Sequence, residues 1–139
     1  MNCRIQTAEA IRDICENRFL MPKNPFVLEA KLEASFSNTS LERLEELSVH
    51  TDEEVRGAVA SNPNSLKKIL KALARDRDWG VRHRVAENTA VTSDVLVVLL
   101  EVENTYTEPH AWIIDSLFKN TKLPTFAKNV IRTKYEDYI

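Results

Sequence analysis

TDEEVRGAVASNPNS at residues 51–65 and RDWGVRHRVAENTAVT at residues 77–92 are two versions of one passage, and their alignment decides how the rest of the chain reads. Val55 falls on Val81, Arg56 on Arg82, Val59 on Val85, Ala60 on Ala86 and Asn62 on Asn88, every pair separated by the same interval. Leu44 and Leu47 stand at that interval from Leu70 and Leu73, which in turn fall on Leu96 and Leu99. A constant offset over that many positions is the signature of an internal repeat.

Each copy divides into two helical stretches. SLERLEELSVH (40–50), SLKKILKALARD (65–76) and SDVLVVLLEVE (93–103) place Leu, Ile and Val at spacings of three and four, which predicts helices with one apolar side. Ser40, Ser65 and Ser93 are placed to cap them, because a serine hydroxyl accepts from the free amides of a first turn. The second helix is predicted to begin at Thr51-Asp52, with Thr51 and Glu54 as a capping box. Its apolar residues, Val55, Ala58, Val59 and Ala60, are small and allow close approach of a neighbouring helix. Asn62-Pro63 ends it, since proline cannot continue a helix. A unit this short cannot bury its apolar side alone, so neighbours must stack.

Outward from this centre the pattern weakens. LEAKLEASFSNTS (28–40) reads as the end of an earlier unit, with Asn38 preceding Asn62 by slightly less than the repeat interval, and AIRDICENRFLMP (10–22) as another second helix. HAWIIDSLFKNTKLP (110–124) repeats the theme after an expansion, which sets Asn120 further beyond Asn88 than the interval alone would. The expected architecture is all-α: an α-solenoid of about four to five short two-helix repeats, forming a single domain over residues 1–139. The best repeats are 40–64 and 65–91, between a divergent N-terminal cap (1–39) and a divergent C-terminal cap (92–139).

Composition agrees with an ordinary globular chain, 43% hydrophobic and 29% charged, while the 2 glycines leave little for the tight turns of β-rich folds. The opening residues, MNCRIQTAEAIRDICEN, carry charges every few positions and lack the apolar segment of a secretory signal. The longest apolar run, Val95 to Leu100, is too short to span a bilayer. A cytoplasmic protein with no membrane partner is expected. Cys3 and Cys15, and His50, His83 and His110, show no metal-ligand spacing, and Cys15 reads as a small buried hydrophobe. With no nucleophile or phosphate-loop motif either, neither an enzyme nor a cofactor is expected.

The string D-x-x-VR-x-x-VA-x-NP followed by a Leu-rich helix, carried by residues 40–92, resembles the leucine-rich repeat variant family, a branch of the HEAT-like helical repeats. The resemblance implies a HEAT-like scaffold used for binding partners. It also implies ladders in which an Asp before the second helix pairs with an Arg within it, here Asp52 with Arg56 and Asp78 with Arg82. The iron–sulfur cysteine cluster of some members has no counterpart beyond Cys3 and Cys15. Trp112 and Asp115, one turn apart, are faintly similar to the tryptophan and carboxylate of HEAT-like alkylpurine DNA glycosylases. The long basic surface of those enzymes is missing from a chain of net charge −2.

Charge and aromatic placement supply the candidate sites. Residues 67–84 hold Lys67, Lys68, Lys71, Arg75, Arg77, Arg82 and Arg84 against Asp76 and Asp78, whereas residues 42–54 are acidic, with Arg43 alone in opposition. Such a dipolar surface either orients a partner or consists of two solvated faces that differ. Trp79 opens a second helix where the previous unit has Glu53, as an anchor for a partner or folded back onto Pro63. Trp112, among Ala111, Ile113 and Ile114, reads as core. Second helices in such stacks line the concave face, so the partner-binding candidates are Trp79, Arg82, His83 and Arg56. The expected function is docking of another protein, as an adaptor or as a stoichiometric inhibitor of a larger complex. Nucleic-acid binding is the alternative, with Lys67, Lys68, Lys71, Arg75, Arg77 and Arg84 as phosphate contacts. The C-terminal Tyr135, Tyr138 and Ile139 either cap the last unit or mediate self-association.

Overall fold

Alanine and valine at the centres of alternate helices set the spacing of one layer, and leucine fills the other. The computed structural model describes residues 25–139, which form α1 (Pro25–Ser35), α2 (Leu41–Leu47), α3 (Glu53–Ser61), α4 (Lys67–Leu73), α5 (Trp79–Glu87), α6 (Ser93–Glu103), α7 (Ala111–Lys119) and α8 (Thr125–Lys134). A 3₁₀ turn at Glu136–Tyr138 follows, and no strand occurs among the described residues. The chain is therefore all-helical there. Cys3, Cys15 and the helix expected at 10–22 lie outside the described residues.

The long-range packing runs through every second helix: α1 packs on α3, α3 on α5 and α5 on α7. Ala34, Ala58, Ala60 and Ala86 are buried in this layer, where short side chains bring backbones close. α2, α4 and α6 form a second layer, each touching the first-layer helices before and after it. Leu44, Leu47, Leu70, Leu73, Leu96 and Leu99 fill the space between the layers and are almost fully buried, as the spacing of three and four requires. The α4–α5 pair starts and ends one repeat interval after the α2–α3 pair.

Two buried polar contacts recur at that same interval. The Asn62 side chain, at the end of α3, donates to the carbonyls of Ala34 (2.8 Å) and Phe36 (3.0 Å). Asn88, at the end of α5, donates to Ala60 (2.6 Å) and Asn62 (3.1 Å). Asn120, at the end of α7, reaches the Ala86 carbonyl at 3.2 Å. Each Asn thus satisfies the unpaired carbonyls at the C-terminus of the previous first-layer helix. Asn38 does not belong to this series. It is exposed, and the position one interval before Asn62 is Phe36, whose carbonyl is an acceptor in the series.

Arg56 and Arg82 form the second recurrence. Arg56 donates through Nε and Nη2 to Asp76 (2.8 and 3.1 Å) and through Nη1 to the carbonyls of His50 and Thr51. Arg82 donates through Nε to Glu103 (2.8 Å) and through Nη1 to the carbonyls of Asp76 and Arg77. The expected pairings with Asp52 and Asp78 are therefore replaced by carboxylates near the end of the following second-layer helix. Asp52 and Asp78 instead cap α3 and α5, accepting from the Glu54 and Val81 amides. Thr51 has no capping role, because the cap falls one residue later. Of the three serines expected as caps only Ser40 is one. Ser65 turns inward to donate to the Val59 carbonyl, and Thr92 occupies the cap position of α6. At the C-terminal end Tyr135 is buried against the last helices, edge-on to Tyr138.

Candidate partner-binding site: an aromatic cleft over a buried ion pair

α6 runs 11 residues where α4 runs 7, and the added turn carries Glu103 beneath the N-terminal ends of α5 and α7. The carboxylate of Glu103 has no exposed surface, and Arg82, 1% exposed, is sealed against it. One Glu103 oxygen accepts from Arg82 Nε at 2.8 Å, and the other accepts from the His110 backbone amide at 3.1 Å, which fixes the start of α7. The Arg82 guanidinium carbon lies 4.9 Å from the centre of the Tyr106 ring. A buried charge pair with every donor and acceptor engaged forms a rigid, electrically neutral floor.

Aromatic rings cover this floor. Trp79, the first residue of α5, stacks on His110 with ring centres 5.3 Å apart and planes 11° from parallel. Trp112, the second residue of α7, stands 5.4 Å from Trp79 with its plane inclined by 55°. Tyr106 meets His110 edge-on at 6.4 Å. An open cleft of about 190 Å³ is lined by Trp79, His110, Ala111 and Trp112. Trp79 remains 38% exposed and Trp112 66% exposed, so the expectation that Trp112 belongs to the core is corrected. The repeat register accounts for it: Val81 and Val85 correspond to Ile113 and Leu117, all buried, while Trp112 corresponds to the less buried Gly80.

The other expected contact residues divide by layer. His83 is partly buried, 3.1 Å from the Ser116 hydroxyl and tilted against Trp79 at 6.5 Å. Arg56 and Arg82 are scaffold residues with almost no surface to present. The Arg56 guanidinium is held further in its charged form by its hydrogen bonds to Asp76. Lys67 and Lys68 pair with Asp94 (2.5 Å) and Glu45 (3.1 Å) of the adjacent second-layer helices, and Lys71, Arg75 and Arg77 are exposed. Arg84 lies in the other layer, its side chain crossing Gly57 of α3. Arg84 is thus set apart from the five exposed cations on α4 and the turn after it. Asp115 is tied to Lys119 at 2.7 Å rather than presented beside Trp112.

A wider trough of about 670 Å³ separates the C-terminal ends of α5 and α7. Its lysines are committed, Lys119 to Asp115 and Lys122 to the carbonyls of Thr89 and Val91. Among the described residues, no group of three His, Cys, Asp or Glu side chains is arranged to hold a metal ion, and no helix is long and apolar enough to cross a membrane. The chain matches no family model, no curated protein and no solved structure.

Proposed function

We propose that this chain is a non-enzymatic, HEAT-like α-solenoid that docks another protein at the Trp79–Trp112 cleft, as an adaptor or as a stoichiometric inhibitor of a larger complex. The observation that carries this reading is the pair of exposed indoles held in fixed relation over a neutral, fully hydrogen-bonded floor. Preorganised aromatic surface of that kind supplies contact area at little entropic cost, and such residues dominate protein interfaces. The recurrence of the Asn and Arg contacts at the repeat interval supports the repeat reading. For the nucleic-acid alternative, Lys67 and Lys68 are paired with carboxylates and Arg84 lies against Gly57, which leaves Lys71, Arg75 and Arg77 as the exposed phosphate contacts.

The test is affinity capture from host lysate with and without nuclease, comparing the natural chain with Trp112→Ala and Lys68→Ala. A discrete protein that survives nuclease, is retained by Lys68→Ala and is lost with Trp112→Ala is the expected result. Trp112→Ala removes an exposed ring and one aromatic contact, so its stability falls by less than about 1.5 kcal/mol. A partner captured equally well by that variant would overturn the assignment of the site.

A further inference from the structure

Where the first-layer helices begin, the edge of the stack carries a second recess beside the aromatic cleft. An open groove of about 430 Å³ lies between the turn before α3 and the turn before α5, and Val49, Thr51, Asp76 and Arg77 are among its lining residues. Val49 is 80% exposed there. Arg77 stands two residues before Trp79, so groove and cleft meet at the start of α5. The order along this edge is Val49, Arg77, Trp79 and Trp112. Packed helices lie about 8–10 Å apart, so the starts of α3, α5 and α7 span roughly 20 Å, the reach of about six or seven extended residues.

The turn that carries Arg77 is fixed, and its carboxylates are spent. Arg82 Nη1 donates to the Asp76 and Arg77 carbonyls at 2.8 and 3.3 Å, so the residue beneath the aromatic cluster also anchors this turn. Asp76 accepts from Arg56 Nε and Nη2 and from the Asp78 amide, and Asp78 accepts from the Val81 amide. Arg75 and Arg77 are exposed and have no ion pair among the described residues. The middle of the edge therefore presents uncompensated positive charge between apolar groups. Glu53 and Glu54 at the start of α3 and Glu108 before α7 are exposed nearer its two ends, with Glu54 3.5 Å from Lys31. An occupant that matches this order carries its acidic residues at its centre and apolar ones on either side.

A nucleic-acid strand matches it poorly. Its phosphates repeat at every step, including those that would face Glu53, Glu54 and Glu108, on a chain whose net charge is already −2.

We infer that the docked partner contributes a short extended segment with acidic residues at its centre, one carboxylate pairing with Arg77 while flanking apolar side chains rest on Val49 and on the open surface of Trp112. This inference rests on the docking reading above and names the chemistry of the partner. An arginine fork meets a carboxylate through two parallel N–H···O bonds, which supplies direction as well as attraction.

Trp79 and Trp112 are the only tryptophans in the 139 residues, so intrinsic fluorescence reports this edge. The full chain is titrated with a tryptophan-free octapeptide that has leucines at both ends and glutamates at its centre, with its lysine and serine counterparts, and with oligothymidylate. The expected result is a saturable emission change with the glutamate peptide, at an affinity about tenfold or more above that of the others. Arg77→Glu should weaken that binding by roughly tenfold or more and turn the preference toward the lysine peptide. Its circular-dichroism melt should stay close to that of the natural chain, because Arg77 serves the fold through its carbonyl. Equal or tighter binding of the lysine peptide, the serine peptide or oligothymidylate overturns the inference. So does glutamate-peptide binding that Arg77→Glu leaves unchanged, or no saturable response up to about millimolar peptide, a regime that still detects weak binding. Lysate capture separates this failure from that of the docking reading. A partner lost with Trp112→Ala but kept by Arg77→Glu removes the acidic segment and leaves the docking site standing; a partner kept by both variants removes both.

Discussion

Trp112 and Arg82 belong to the same cluster yet answer different questions. Trp112 is exposed and is the proposed contact, whereas Arg82 is buried and ties the cluster together, so removing them should separate binding from folding. Arg82→Ala leaves the Glu103 carboxylate buried without its cation, at a cost of about 3–5 kcal/mol, typical of breaking a buried pair from one side. Urea denaturation should show that loss, and a combined Trp79, Arg82 and His83 alanine variant should fail to fold well enough to report on binding. Gly57 makes the opposite case. It sits in the middle of α3, where alanine is the better helix former by about 0.5–1 kcal/mol. The nearest atoms a Cβ there would meet belong to the Arg84 side chain, its Cδ at 3.1 Å, and that long side chain can swing aside. Gly57→Ala should therefore raise the melting temperature slightly; a lowered one would mean that Arg84 is needed where it lies.

At the scale of the helix, period and offset were legible and ends were not. The spacing of Leu44, Leu47, Leu70 and Leu73 fixed which sides of α2 and α4 turn inward. Ser65 and Ser93 looked equivalent to Ser40, but a hydroxyl can satisfy either an amide or a carbonyl, and at Ser65 the buried Val59 carbonyl wins. Asn88 is the clearest joint between elements, its side-chain N–H₂ facing two carbonyls and its oxygen accepting from the Ala90 amide. Asn88→Ala strands buried polar groups on both sides of the joint and should cost about 1–3 kcal/mol, measurable by denaturant titration. The α4–α6 joint lies at the surface and is electrostatic. Hydrogen bonds from Lys67, then from the Thr92 hydroxyl, lower the Asp94 carboxyl from 3.8 to about 2. A depressed carboxyl contributes stability that is present above its unfolded value and is lost as pH falls through about 2. In Lys67→Ala, a carboxyl NMR titration should show the Asp94 midpoint moving back up toward its ordinary value, with little change in overall stability because the pair is exposed.

Over the whole molecule, the surface of the second layer alternates in sign, with acidic α2, basic α4 and Asp94 of α6 locked together by the Lys68–Glu45 and Lys67–Asp94 pairs. In that arrangement Lys67 and Lys68 of the basic stretch are paired, while Lys71, Arg75 and Arg77 stay exposed. The candidate site was half legible. Trp79 could be singled out because it replaces a charged residue at a helix start, whereas Trp112 was hidden by apolar neighbours. Its exposure follows only when the repeat register is carried across the insertion before Asn120. The cleft itself needed three dimensions, since it depends on the extra turn of α6 that delivers Glu103. The Asn joints have a consequence for motion as well. Each one binds the tail of one helix to the tail of the next in its layer, so a local opening at one joint takes protecting bonds away from the helix before it. Amide protons at the ends of α3 and α5 should then exchange with solvent in concert, at one shared rate, instead of each fraying on its own.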